Sequence, residues 1–390
     1  MARTRFRAFP AIDPATFFRR VDEENPILDA KRFHLYASGR AALFHGALCL
    51  KQQGIRLIYA PVYHCGVEIE ALLRAGLAVR FYPLDDKRNC DLPWLIKNVD
   101  AKKAALLIVH YFGFPQPLEA IMALCREKGM LLVEDCAHAL YSSWQNQMLG
   151  TFGDMAIFSL QKTVPLPNGG GLLINNGSIG NPLPGKPCTD GVLWKILVRS
   201  MLDFQANKDG AGAGMANAVI ALYSRLFEDG AEQRRENHCA VEEDEAPGYY
   251  DVAHQDYEKG LFSLARKILR PAPHQGIVRS RRENYRCLER AFSSFPTFAK
   301  LFDSLPTGCC PLCFPIRVDD NDRWTARLQA QGIFPFVFGR FAHPLFKGSG
   351  QHDVRWQKSI IGLPVHQHLS MADCNTMVRL AVNASTAFSR

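Results

Sequence analysis

Leu132-Val133-Glu134-Asp135-Cys136-Ala137-His138-Ala139 is an apolar run that ends abruptly in acid. Such a run suits a buried strand, and a carboxylate at its carboxyl end lies where a parallel sheet holds its ligand. Asp135 has a second reading, as the N-cap of a following helix. The flanking sequence bears on the choice. Between about 33 and 174, short apolar runs alternate with segments of helical period, the pattern of a parallel sheet wrapped by helices. Strands are expected over 57–60, 79–82, 105–110, 130–134, 155–159 and 171–175, with helices over 41–53, 66–75 and 117–128. Polar residues just after each strand are therefore the place to search for a site.

The strand after the quoted one ends in Phe158-Ser159-Leu160-Gln161-Lys162 and runs on into Pro165-Leu166-Pro167-Asn168-Gly169-Gly170-Gly171. A lysine placed there, three residues after a serine, can bond covalently to a carbonyl cofactor while the hydroxyl holds a phosphate. Desolvation would lower the amine's pKa, so that it serves as nucleophile and proton shuttle. Taken alone, Lys162 also reads as an exposed loop lysine. The glycines either let the backbone pass close to a ligand or make a turn. Tyr36-Ala37-Ser38-Gly39-Arg40-Ala41-Ala42-Leu43 is a small-residue turn opening an alanine-rich helix. The free N–H groups of that first turn suit a phosphate; a plain N-cap by Ser38 is the other reading. Pro61-Val62-Tyr63-His64-Cys65 offers aromatic faces for a planar cofactor, although Tyr63 also suits a core.

In this order the pieces resemble the DegT-type aminotransferases, fold type I pyridoxal-phosphate (PLP) enzymes that mostly act on nucleotide-linked keto-sugars. The resemblance spans nearly the whole chain, through Val109-His110-Tyr111-Phe112-Gly113, Gly153-Asp154 and Lys162 to Leu363-Pro364-Val365-His366. It implies an α/β fold: a large domain with a mostly parallel seven-stranded sheet flanked by helices, plus a smaller α+β C-terminal domain. It also implies that Asp135 pairs with the pyridinium nitrogen and that His138 lies near the phenolic oxygen. Ser38, Gly39, Arg40 and Ser159 would hold the phosphate, and Lys162 would carry the cofactor. Three features depart from the family pattern. The lysine follows the serine by three positions rather than five; Cys65 stands where a stacking aromatic is usual, so stacking passes to His64; and the loop that reaches into a neighbouring subunit is not recognisable between 181 and 260.

A chain of 390 residues suits a large and a small domain. We expect an N-terminal segment over 1–30, a PLP-binding domain over 31–260 with a variable insert at 181–260, and a small domain over 261–390. The insert offers helices over 191–204 and 215–227 and an acidic tract at 242–245; the small domain offers elements over 265–269, 279–292, 313–318, 324–331 and 371–384. The net charge of +8 comes from scattered basic residues. That suits a phosphorylated small molecule and argues against nucleic acid. Twelve cysteines without a secretory signal read as reduced thiols. Cys309, Cys310 and Cys313 have no second cluster at zinc-finger distance, so they are expected in a buried strand and no metal is expected. No apolar stretch approaches the ~18 residues that span a bilayer.

The resemblance implies a PLP-dependent aminotransferase that moves an amino group from an amino acid such as glutamate to a keto-sugar nucleotide, in polysaccharide, glycan or secondary-metabolite biosynthesis. A cytoplasmic homodimer is expected, with Arg279, Arg281, Arg282 or Arg340 reaching a diphosphate-linked substrate across the two-fold axis. Dehydration or decarboxylation on the same scaffold is the enzymatic rival. Relatives that dehydrate sugars often carry histidine in place of the lysine, so Lys162 favours transamination. A non-catalytic binding protein would show decay at Asp135 or Lys162, which this chain lacks. A nicotinamide dehydrogenase would carry GxGxxG after its first strand, and none is present.

Overall fold

The computed structural model describes residues 5–18, 25–28, 30–99, 103–188, 191–207, 214–216, 218–220, 254–340, 343–347 and 355–386. Its main sheet is built from β1 (Phe33–Tyr36), β2 (Leu57–Pro61), β3 (Ala78–Tyr82), β4 (Ala104–Val109), β5 (Leu131–Asp135), β8 (Met155–Ser159) and β9 (Gly170–Ile174). Between β5 and β8 lies a two-stranded hairpin, β6 (Ser143–Trp144) and β7 (Gln147–Met148). The seven strands run in the order β1-β9-β8-β5-β4-β2-β3. All neighbours pair parallel except β9, which is antiparallel to both β1 and β8. Every residue of β4, β8 and β9 is buried. Continuous apolar strands of this kind are what a sheet covered on both faces requires.

Helices Gly39–Gln52, Val67–Arg74, Leu92–Asn98 and Leu118–Lys128 connect the strands. The first is capped by the Ser38 hydroxyl, which accepts from the Ala41 N–H at 3.1 Å. The third was not expected from the sequence; Asp91 caps it and Pro93 sits in its first turn, where a missing N–H costs nothing. Two strand ends differ from expectation. The strand expected to reach His110 stops at Val109: the His110 N–H still bonds to the Asp135 carbonyl as the last rung of the ladder, and the chain then turns into Tyr111–Gly113. The quoted strand is shifted by one, so that Asp135 is its last residue.

The C-terminal region holds a second sheet, β10 (Cys313–Arg317) antiparallel to β11 (Ile360–Pro364). Helices His274–Phe292 and Asn321–Ala330 pack on it, and Met371–Thr386 packs against both of these helices. A strand containing Gly362 and Pro364 has little propensity of its own and is held by pairing with β10. The expected helix over 191–204 is present as Gly191–Ala206. The expected helix over 215–227 and the acidic tract at 242–245 lie largely or wholly outside the described residues.

Candidate active site

Asp135, at the carboxyl end of β5, is 6 % exposed, and its Oδ1 accepts from the Ala137 N–H at 2.8 Å. The chain after it makes turns and enters the β6–β7 hairpin, so Asp135 caps no helix. Burial pushes its carboxyl up to about 7; the charge of Glu68 adds to this, while the Ala137 bond and the charge of Lys162 oppose it. Lys162 closes the short turn Leu160–Lys162 directly after β8, the strand that pairs with β5. Its charge acts on Asp135, His138 and Cys65, which puts all four in one electrostatic neighbourhood. The Lys162 Nζ lies 5.6 Å from the ring centre of Phe336 and 5.9 Å from that of Phe338.

His138 is buried, and burial together with the charge of Lys162 drives its pKa well below the usual histidine value. The ring is therefore neutral at pH 7. Its Nδ1 accepts from the Phe112 N–H at 3.4 Å, which leaves the proton on Nε2. That Nε2 is buried with no hydrogen-bond partner among the described residues. The ring stacks on Phe112 and meets Phe338 and Phe336 edge-on, at 4.6 and 5.2 Å between centres. Glu134, one residue before Asp135, does something else. Its carboxylate accepts from His110 Nε2 and from the N–H groups of Gly150, Phe152 and Gly153 at 2.6 to 2.9 Å. Among the described residues His110, Glu134 and Cys136 form the one group with metal-ligand spacing, but protein donors already saturate the carboxylate.

The turn expected to bind an anion stands beside Ser159. A Cβ on Gly39 would lie 3.2 Å from the Phe158 carbonyl and 3.4 Å from Ser159 Cβ, so the helix N-terminus abuts the end of β8. Gly170 pairs with Tyr36 on one side and Ser159 on the other. A Cβ there would fall 2.0 Å from the Ser38 carbonyl oxygen, so only glycine lets the two turns approach this closely. Arg40 lies in the same first turn, half-buried. Ser38, Gly39, Arg40 and Ser159 thus stand together at the carboxyl ends of β1 and β8.

His64 is placed differently from its sequence reading. Its ring is fully buried and stacks on Phe81 at 5.1 Å, with Phe346 edge-on. Its Nδ1 contacts the Pro61 carbonyl, and its Nε2 accepts from the His343 N–H. A ring so committed to packing gives no support for stacking on a cofactor. Arg281 is fully buried and bonds to oxygens of its own chain, Arg282 holds the Pro306 and Cys309 carbonyls, and Arg340 pairs with Asp322 at 2.6 Å. Of the four candidate arginines, Arg279 alone is exposed. Cys309, Cys310 and Cys313 are buried, and burial raises each thiol's pKa.

Sequence reasoning missed Glu68, Phe336 and Phe338. Glu68 accepts from both the N–H and the Sγ of Cys65, at 3.0 and 2.8 Å. In the sequence it looks like an ordinary acidic residue in a helix first turn. The two phenylalanines come from a segment more than 160 residues beyond Lys162. The short apolar run Phe336-Val337-Phe338 was the available signal, and it points to a strand, not to a site.

Residues 37–181 match the DegT/DnrJ/EryC1/StrS aminotransferase family. Over these residues the chain is similar to that family. It is 32 % identical over 139 residues to the spore coat polysaccharide biosynthesis protein SpsC of Bacillus subtilis (strain 168), covering 34 % of this chain and 35 % of SpsC. It is 31 % identical over 145 residues to the dTDP-4-dehydro-2,3,6-trideoxy-D-glucose 4-aminotransferase of Saccharopolyspora spinosa, covering 37 % and 38 %. The chain thus spans little more than a third of the length of these curated relatives. The fold extends further. The Helicobacter pylori aminotransferase PseC, involved in pseudoaminic acid biosynthesis, superimposes with a TM-score of 0.66 over 98 % of this chain and 100 % of its own, at 16 % identity. AtS13 from Actinomadura melliaura gives 0.64 over 98 % and 100 %, at 19 % identity. The seven-stranded sheet is that of fold type I.

Members of the family depend on PLP, and the residues described here fit that group. The deciding observation is the neutral, buried His138 Nε2–H, a donor without an acceptor in the same neighbourhood as Asp135 and Lys162. An unsatisfied buried donor of this kind costs about 1–3 kcal/mol, which an acceptor oxygen on a ligand removes. A buried carboxyl raised to about 7 likewise gains from a cationic N–H partner.

Proposed function

We propose that this protein is a PLP-dependent aminotransferase whose site is built on Lys162, Asp135 and His138. The observation that carries the reading is the convergence of an amine, a carboxylate and an orphaned imidazole donor at the carboxyl ends of β5 and β8. Bound there, PLP supplies an electron sink. Asp135 would hold the ring nitrogen protonated, and His138 would donate from Nε2 to the phenolic oxygen. The Ser38–Arg40 turn and Ser159 would bind the phosphate, where the helix N-terminus favours negative charge. Lys162 Nζ would anchor the cofactor and then hold and move the proton exchanged during amino transfer. Phe336 and Phe338 would exclude water from that amine.

The amino donor we propose is an amino acid such as glutamate, and the acceptor a keto-sugar nucleotide, with a role in polysaccharide, glycan or secondary-metabolite biosynthesis. The family match and the sugar aminotransferases among the relatives support this. We further propose a homodimer; exposed Trp194, Ile196 and Val198 on helix Gly191–Ala206 are apolar surface that a second copy would cover. The test is an absorption spectrum of the protein loaded with PLP. A band near the visible edge that shifts on adding glutamate and returns on adding a keto-sugar nucleotide is the expected result. A spectrum of free PLP alone would favour a non-catalytic protein. No described helix is long and apolar enough to cross a membrane.

A further inference from the structure

We propose that Arg281, together with Gln367, is a positioning residue that clamps the backbone of the Lys162 turn. Arg281 lies on helix His274–Phe292, 0 % exposed. Its guanidinium reaches five oxygens, all uncharged. Nε donates to Gln367 Oε1 at 3.0 Å, and Nη1 donates to the carbonyls of Pro311 and Leu312 at 3.2 and 3.1 Å. Nη2 donates to the carbonyls of Lys162 and Thr163 at 3.4 and 3.3 Å. Gln367 closes the ring by donating from Nε2 to the same Thr163 carbonyl at 3.0 Å. Three separate segments therefore meet on one side chain: the lysine turn, the residues that lead into β10, and the residues just after β11.

A guanidinium buried without a countercharge among the described residues is expensive to desolvate, and burial does lower its pKa. An apolar side chain would fill the same space between helix and turn at lower cost. What it could not supply is five N–H donors in a rigid planar fork, which fixes carbonyl directions as well as distance. The turn itself is short, held by the Thr163 and Val164 N–H groups on the Leu160 carbonyl. Pinning the carbonyls of Lys162 and Thr163 sets the direction in which the Lys162 side chain leaves the backbone. The same C-terminal region carries Phe336 and Phe338, so the clamp also keeps the amine in register with the rings above it.

This inference rests on Lys162 being the cofactor lysine, and the experiment separates the two. Wild type, Arg281→Met, Arg281→Lys and Gln367→Leu are treated with PLP and cyanoborohydride over a range of pH, and the rate of pyridoxyl labelling at each lysine is read by peptide mapping. Thermal unfolding reports which variants fold. In wild type we expect selective labelling at Lys162. In Arg281→Met we expect that rate to fall about tenfold or more with a displaced pH midpoint, as expected when a reacting group is misplaced. Arg281→Lys should recover part of the loss, because an ammonium can still donate to the two carbonyls, and Gln367→Leu should lose several-fold. A folded Arg281→Met labelled at the wild-type rate and midpoint overturns the clamp and leaves Lys162 standing. Wild-type labelling concentrated on another lysine overturns both. If Arg281→Met does not fold, wild-type labelling in Gln367→Leu and Arg281→Lys is enough to overturn the clamp.

Discussion

Lys162 and Asp135 carry the sharpest consequences of this arrangement, because each joins a charge to a place where water is scarce. Lys162→Ala should reduce turnover by at least about a thousandfold while leaving thermal stability nearly unchanged, since a half-buried lysine contributes chemistry more than packing. Borohydride reduction of the loaded wild type followed by peptide mapping should place the pyridoxyl group on Lys162; finding it on a different lysine refutes the assignment. Asp135→Asn should still bind PLP but slow proton transfer by several orders of magnitude, because an amide cannot hold the ring nitrogen protonated. Activity within a few fold of wild type would remove Asp135 from the mechanism. The same residue predicts a pH effect in the cofactor-free protein. Its folded pKa, about 7, is above the unfolded carboxylate range, so it contributes stability below about pH 4 that is lost as pH rises through about 7. Asp135→Asn removes that loss. Denaturant unfolding should then find the variant more stable than wild type at pH 8 by up to a few kcal/mol, with the gap closing toward pH 4. A gap that does not change with pH would show that the carboxyl titrates normally.

Among the elements, the tightest constraint joins three of them at Gly170, where β9 passes between the Ser38 turn and the end of β8. Gly170→Ala places a methyl group 2.0 Å from the Ser38 carbonyl oxygen. We expect a loss of about 1–3 kcal/mol or more in urea unfolding, with PLP affinity falling in parallel, because the strain acts on the anion-binding turn itself. Unchanged PLP affinity in the folded variant would dissociate this turn from the phosphate. Most strands were legible because a sheet buried on both faces needs continuous apolar runs, and Met155–Ser159 was read with its observed bounds. Leu92–Asn98 was not legible, since seven residues with an internal Pro93 carry too little helical period. Ile360–Pro364 escaped for a related reason: only its pairing with β10 overrides Gly362 and Pro364.

For the molecule as a whole, a homodimer with sites at the interface predicts that activity and association go together. Light scattering should report twice the mass of the 390-residue chain, and a fully active monomer would end the idea. Arg279, the exposed member of the four candidate arginines, gives a further handle. If it reaches the substrate of the opposite site, Arg279→Ala and Lys162→Ala should each be inactive, and a mixture that exchanges subunits should recover part of the activity, since one hybrid site is then intact. No recovery despite proven exchange would assign Arg279 to its own subunit's surface.

What the sequence determined alone is local in origin: the strand that leads to Asp135, though not its last residue, the lysine that follows the next strand, the helix after Ser38, and the order of these pieces. Apolar runs, caps and glycines act over a few residues, so their meaning survives without knowledge of the rest of the chain. The tertiary structure decided everything that depends on contacts between distant segments. It committed the His64 ring to Phe81, put Glu68 against Cys65, brought Phe336 and Phe338 over the Lys162 amine, and turned Arg281 inward onto the Lys162 and Thr163 carbonyls. An arginine in a helix reads as a surface charge, and only the five oxygens waiting around it make its burial stable.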